Sequence, residues 1–169
     1  MIGDVLYDAS TIARRVNELG AEISRDYAGK LPLLVGILNG AAPFLADLTR
    51  AITIPCEYDV ISVGAFSDPN GVRFEKDTSA SVEGRDVILV DDSVSTGMTL
   101  QYVAKALSAR APASFAVCAL LDRPGRRIAD IPIRYRGFEI PDVYVVGYGL
   151  DHDGRYRELA ALYTHGTWP

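Results

Sequence analysis

Asp86-Val87-Ile88-Leu89-Val90-Asp91-Asp92-Ser93-Val94-Ser95-Thr96-Gly97-Met98-Thr99-Leu100 is the stretch that decides the fold. Its first part is a continuous apolar, β-branched run, which reads as a fully buried parallel strand. Two adjacent carboxylates stand where that run stops. A short Ser/Thr/Gly segment follows, and then a helix with Leu100, Val103, Ala104 and Leu107 on its buried face. In an open α/β sheet, ligands bind beyond the carboxyl ends of the strands. A helix N-terminus there offers unpaired N–H groups and a positive dipole end, which favour an anion such as a phosphate. Carboxylates beside it suit sugar hydroxyls or a hydrated Mg2+. The physical reading is a sugar-phosphate cradle flanked by acids. The plainer alternative is that Asp91-Asp92 merely caps the helix.

Upstream, residues 31–38 form a second apolar run. It breaks at the small residues Asn39-Gly40-Ala41-Ala42 and resumes as a helix with Phe44, Leu45, Leu48 and Ile52 on one face. Before it, Ile12, Val16, Leu19 and Ile23 recur at helical spacing, with Asp8 or Ser10 as N-cap. Residues 56–66 hold a third strand. Ser67-Asp68-Pro69-Asn70-Gly71 is turn chemistry, and residues 72–77 alternate apolar with charged as an exposed antiparallel ribbon does. That excursion is either a flap over the site or a plain surface hairpin. Downstream, residues 115–121 are another buried strand, ending at Asp122-Arg123-Pro124-Gly125. Residues 137–151 mix aromatic, small and acidic side chains without clear periodicity, a composition suited to a binding wall. Arg157, in the tail, is a candidate anion contact. The expected order is helix, strand–helix, strand, hairpin, strand–helix, strand and an irregular lobe: a parallel sheet with helices on both faces.

The chain has 169 residues, 49% of them hydrophobic, enough for one domain spanning 1–169 with its own core. A formal charge of −5 gives no basic field for nucleic acid. Cys56 and Cys118 lie in separate apolar runs and read as core thiols, not as a disulfide or zinc pair. No apolar run reaches membrane-spanning length and the N-terminus shows no signal pattern, so a cytoplasmic protein is expected.

Val90-Asp91-Asp92 with Ser95-Thr96-Gly97-Met98-Thr99-Leu100 resembles the phosphoribosyl-pyrophosphate (PRPP) loop of type I phosphoribosyltransferases. Leu34-Val35-Gly36-Ile37-Leu38-Asn39-Gly40-Ala41 is similar to the pyrophosphate loop of the hypoxanthine-guanine branch. Leu120-Leu121-Asp122-Arg123-Pro124 is similar to its purine-contact segment, and Gly137-Phe138-Glu139-Ile140-Pro141-Asp142 with Val145-Val146-Gly147-Tyr148-Gly149-Leu150-Asp151 to its purine hood. The resemblance implies a Rossmann-like α/β fold with a parallel sheet, a small hood mainly over 123–160 and a β-hairpin flap. It implies transfer of a 5-phosphoribosyl group from PRPP to a 6-oxopurine with Mg2+, in a homo-oligomer, dimer or tetramer. It also implies roles. Asp91 and Asp92 hold the ribose hydroxyls, one through Mg2+, and Ser93, Val94, Ser95, Thr96, Gly97, Met98 and Thr99 form the PRPP loop. Leu38, Asn39, Gly40 and Arg157 face pyrophosphate. Tyr144 stacks on the purine, the Val145 backbone reads its edge, Arg123 donates to O6, and Asp151 takes a second Mg2+.

Four positions depart from that pattern. Ser95 stands where these enzymes carry an Asp base, and a serine hydroxyl is no base at neutral pH without help. Arg123 replaces a Lys. Asn39 replaces a cation. Residues 63–68 lack the flap's Ser-Tyr pair, leaving Phe66 and Ser67 to substitute. Two alternatives therefore accompany the leading reading: transfer to a different acceptor base, and a PRPP- or nucleotide-sensing protein with little turnover.

Overall fold

The computed structural model describes residues 2–64 and 73–166. In chain order the elements are β1 (Ile2–Tyr7), α1 (Ala9–Asp26), β2 (Leu33–Leu38), α2 (Ala42–Ala51), β3 (Glu57–Val63), β4 (Phe74–Lys76), β5 (Asp86–Val94) and α3 (Met98–Ser108). They continue with β6 (Ser114–Asp122), a short 3-10 turn (Pro124–Arg126), β7 (Tyr135–Glu139), β8 (Val145–Val146) and β9 (Leu162–His165). A six-stranded sheet has the order β4-β3-β2-β5-β6-β7, parallel except for β4. A three-stranded antiparallel sheet, β1-β9-β8, stands beside it.

Because side chains alternate along a strand, the central run feeds two cores. Ile88, Val90, Cys118 and Leu120 pack with the α1 stripe and with Phe44, Leu45 and Leu48 of α2. Val87, Leu89, Val117 and Ala119 pack with Leu100, Val103 and Leu107 of α3. Helices thus cover both faces, as the sequence pattern requires. The α1 stripe of Ile12, Val16, Leu19 and Ile23 is buried throughout, and Asp8 is its cap, accepting from the Thr11 N–H at 2.7 Å. Ser10 donates to Asp8 instead of capping. Both cysteines are free, Cys118 buried and Cys56 half-buried.

Three expectations are corrected. The first element is a strand, not a helix. β1 carries mostly exposed side chains, so it lacks the apolar signature of a core strand, and it is held by pairing with β9 at the other end of the chain. The small sheet accordingly draws on both chain ends, beyond the 123–160 stretch. The central strand does not stop at Val90. Its pairing with β2 ends at Gly36↔Val90, but pairing with β6 runs on to Val94↔Asp122. Asp91 and Asp92 therefore lie on a strand that has lost one neighbour. Finally, residues 137–139 do not open an irregular lobe but belong to the edge strand β7, tied to α1 by Arg15, whose Nε and Nη2 donate to the carbonyls of Gly137 and Arg136.

The hairpin stem is as expected, with Ser62↔Lys76 and Val63↔Phe74 paired antiparallel. Its turn at 67–71, with Phe66 and Ser67, lies outside the described residues. Below the stem, the 11%-exposed side chain of Asp59 accepts from the N–H groups of Val60 at 2.8 Å, Ser79 at 2.6 Å and Ala80 at 2.9 Å. Desolvation alone would raise this carboxyl, but the bonds from Ala80, Val60 and Ser79 outweigh it and hold it below its ordinary value. Asp59→Ala strands those donors and is expected to cost about 1–3 kcal/mol in urea unfolding near neutral pH. A depressed folded-state value stabilises above the unfolded carboxylate range of about 4 and is lost as pH falls through the folded value. The gap between wild type and Asp59→Ala should narrow below that range and close as pH falls past the depressed folded-state value. A gap unchanged at low pH would exclude the ionised carboxylate as its source.

Candidate functional site

Past Val94 the chain turns through Ser95-Thr96-Gly97 into α3. Gly97 is the N-cap, with φ of 79°, and no side chain caps the helix, so the capping role for Asp91-Asp92 does not apply. A Cβ at Gly97 would stand 3.1 Å from Cδ of Arg127, in a backbone conformation that L residues avoid. Met98 N–H meets Oγ1 of Thr96 at 3.4 Å, and the other first-turn N–H groups of α3 have no partner within the helix. Asp91 and residues 93–100 line a cavity of about 140 Å3, a small polar recess at a helix start.

Asp92 N–H donates to Oδ1 of Asp91 at 3.0 Å, and Ser93 N–H to Oδ1 of Asp92 at 2.7 Å. Burial pushes the Asp91 carboxyl well above its ordinary value, and the Asp92 charge adds to this. Burial raises Asp92 too, opposed by its bonds with Asp91 and Ser93 and by Arg157. Two desolvated, mutually repelling carboxylates are relieved by a cation or by hydroxyl donors.

Gly40 lies against this pair. A Cβ there would fall 1.7 Å from Oδ2 of Asp92. Gly149, at φ of 98°, lies against Gly40 in turn, for its Cβ would fall 2.1 Å from the Gly40 carbonyl oxygen. The β5 end, the β2–α2 turn and the 147–151 loop thus meet in one place through two glycines. Tyr148 secures the join, its Oη donating to Oδ2 of Asp47 on α2 at 2.7 Å. Arg157 fastens the loop from the other side, donating to the Gly149 carbonyl at 2.6 Å and pairing with Oδ1 of Asp151 at 2.8 Å.

On the hood side, Tyr144 Oη donates to the Asp151 carbonyl at 2.7 Å. The ring meets His152 and His165 edge-on, each at 5.7 Å between centroids. Val145 is buried and paired with Thr164 in the small sheet. Arg123 is 6% exposed, its N–H on the Val94 carbonyl at 3.0 Å. Burial pulls its guanidinium below the usual value, while Asp142, Asp92 and Tyr144 act in the opposite direction. Arginine stays protonated regardless, so a cation lies within electrostatic reach of Asp142, Asp92 and Tyr144.

The structure therefore gathers Asp91, Asp92 and Ser93–Thr99 with Gly40, Gly149, Asp151 and Arg157. The Leu38–Asn39 peptide leading into the turn is cis, and Asn39 is exposed. Two candidates are engaged differently from expectation. Arg157 already pairs with Asp151, and the other oxygen of Asp151 accepts from the Gly154 N–H at 2.7 Å. Among the described residues no three acidic, histidine or cysteine side chains cluster as a ready-made metal site. Asp91 and Asp92 fit a partly hydrated divalent cation, which takes one or two carboxylates and keeps its waters. The Tyr148–Asp47 bond and the contacts of Arg127 were not foreseen; the only signal was a basic pair, Arg126-Arg127, just past a strand terminus.

A parallel sheet with an acidic strand end, a small recess at a helix start and a small antiparallel sheet beside it suits the phosphoribosyltransferase class. The chain matches the phosphoribosyl transferase domain family over residues 3–153 and belongs to that family. It is 41% identical to the hypoxanthine-guanine phosphoribosyltransferase of Bacillus subtilis (strain 168), over 94% of this chain and 90% of that protein. It is 40% identical to the hypoxanthine phosphoribosyltransferase of Salmonella typhimurium, over 92% and 91%. A crystal structure of a hypoxanthine phosphoribosyltransferase from Staphylococcus aureus superimposes with a TM-score of 0.92 at 39% identity, covering 96% of this chain and 92% of that one. The chain is a phosphoribosyltransferase enzyme with the mixed α/β fold of these relatives.

Proposed function

We propose that the chain transfers the 5-phosphoribosyl group of PRPP to a 6-oxopurine, hypoxanthine or guanine, releasing pyrophosphate in purine salvage. The observation that carries this is the meeting of Asp92, Gly40 and the 147–151 loop beside the phosphate-sized recess. In the proposed reading this meeting supports neighbouring sites for a phosphate, a ribose, a leaving group and a base.

In this reading, N–H and hydroxyl donors of Ser95–Thr99 hold the 5′-phosphate at the α3 terminus. Asp91 and Asp92 bind the ribose hydroxyls and face a reaction centre that gains positive character as the leaving group departs. Leu38, Asn39 and Gly40 line the pyrophosphate side, which Arg157 reaches by exchanging its Asp151 partner for the leaving group. Tyr144 stacks on the base, the Val145 backbone meets its edge, and Arg123 donates to its exocyclic oxygen. Mg2+ held by Asp91 and Asp92, with Asp151 as a further ligand once its Oδ1 is released by Arg157, would neutralise charge on pyrophosphate. Alignment of the two reactants carries much of the remaining rate.

The test is pyrophosphate release from PRPP and Mg2+ with each purine in turn. Release with hypoxanthine or guanine is expected, and none with any 6-oxopurine would overturn the reading. Ser95 in the lining of the recess favours a second reading, transfer to another acceptor; a base that clearly outpaces hypoxanthine would establish it. A dimer or tetramer in the cytoplasm belongs to the same proposal, and light scattering checks the assembly.

A further inference from the structure

Behind the phosphate loop stands a charged brace that the roles above leave unused. Asp122, at the end of β6, has a side chain only 2% exposed and carries two guanidinium partners. Arg127 Nη2 pairs with Oδ1, and Arg136 Nε with Oδ2 at 2.8 Å. A buried carboxylate is costly unless paired in this way. Arg127 then reaches on, its Nε donating to the Ser95 carbonyl at 3.2 Å. The two residues after it continue the contact, with Ile128 and Ala129 N–H donating to the Thr96 carbonyl at 3.0 and 2.9 Å.

These bonds fix directions as well as positions. Apart from Leu38–Asn39 the described peptides are trans, and in a planar trans peptide the C=O and the following N–H point opposite ways. Holding the Ser95 oxygen toward Arg127 turns the Thr96 N–H away from the brace. Holding the Thr96 oxygen toward residues 128 and 129 does the same for the Gly97 N–H. A Ser-Thr-Gly loop has many conformations to lose when its donors converge on an anion, and bracing removes that cost beforehand. Arg127 is absent from the lining of the recess, as a support standing behind the loop must be.

We infer that Arg127, locked by Asp122 and Arg136, is a positioning residue that aims the Thr96 and Gly97 N–H groups at the 5′-phosphate of PRPP. The inference rests on the proposed PRPP site. It concerns PRPP alone, since Tyr144 and Val145 are held by the small sheet and by Asp151.

The test compares wild type with Arg127→Met and Arg127→Lys, measuring KM for PRPP, KM for the base, kcat, and PRPP binding by calorimetry. Arg127→Met should raise KM and Kd for PRPP tenfold or more, with KM for the base within about twofold. Arg127→Lys keeps the charge beside Asp122 but cannot serve Asp122 and Ser95 together, so it should share most of the defect. A well-folded lysine or methionine variant with unchanged PRPP affinity overturns the inference. Equal rises in both KM values also overturn it, as general damage to the site. If Arg127→Met does not fold, Arg127→Lys decides alone. Failure of the functional reading is separate: wild type then binds PRPP in the calorimeter but releases no pyrophosphate with any 6-oxopurine. Wild type that does not bind PRPP removes both.

Discussion

Gly40→Ala is expected to lower kcat/KM for pyrophosphate release by about 10²-fold or more while leaving the protein folded. A Cβ at this position falls 1.7 Å from Oδ2 of Asp92, far inside contact distance. Because the atom it meets is the end of a side chain, the backbone can stay and the carboxylate must swing aside. Asp92 is the group proposed to face the ribose, and misplacing a reacting group by about 1 Å is enough to cost 10²-fold. The thermal midpoint should move little, and a steady-state assay should show the loss. A variant with wild-type kcat/KM would mean that Asp92 does not work from the position it occupies here. Gly149→Ala makes an instructive contrast. It meets the Gly40 carbonyl, a backbone atom, at a φ of 98°, so it should reduce stability as well as activity.

What could be read from the residues depended on whether they report on their immediate surroundings or on distant partners. Val87–Val90 declare a buried strand because two sheet faces demand apolar side chains at every position. Ser95-Thr96-Gly97 declare a turn into a helix because their chemistry is local. The β1 strand declares nothing. Its side chains are largely exposed and its hydrogen bonds go to β9, so neither apolar burial nor alternation marks it. Tyr135–Glu139 is hidden for a related reason: it is an edge strand with charged members, held partly by Arg15 from α1. In the site, residue types indicated the ligands, but the contacts between segments stayed silent. The approach of Gly40 to Asp92, of Gly149 to Gly40, and of Arg127 to the Ser95 carbonyl all join parts of the chain far apart in sequence. Each is set by tertiary packing, for which a single sequence carries no local signature.

Ser95→Asp is expected to raise the chemical rate on a 6-oxopurine by about 10²-fold. Ser95 is half-buried and lines the same recess as Asp91. Its hydroxyl cannot accept a proton from the base near neutral pH, whereas a positioned general base is typically worth about 10²–10⁴-fold. The substitution adds that group without disturbing the loop, because what Arg127 holds at this position is the main-chain carbonyl. A carboxylate acts as a base only when ionised, so the gain should vanish as pH falls into the acid range. The added charge also faces a phosphate and two acids, so KM for PRPP should rise while kcat improves. Single-turnover mixing isolates the chemical step from product release. A rate that is unchanged or lower at every pH would show that this site runs without a base at position 95. The search for the acceptor would then move to bases that give up no proton during transfer.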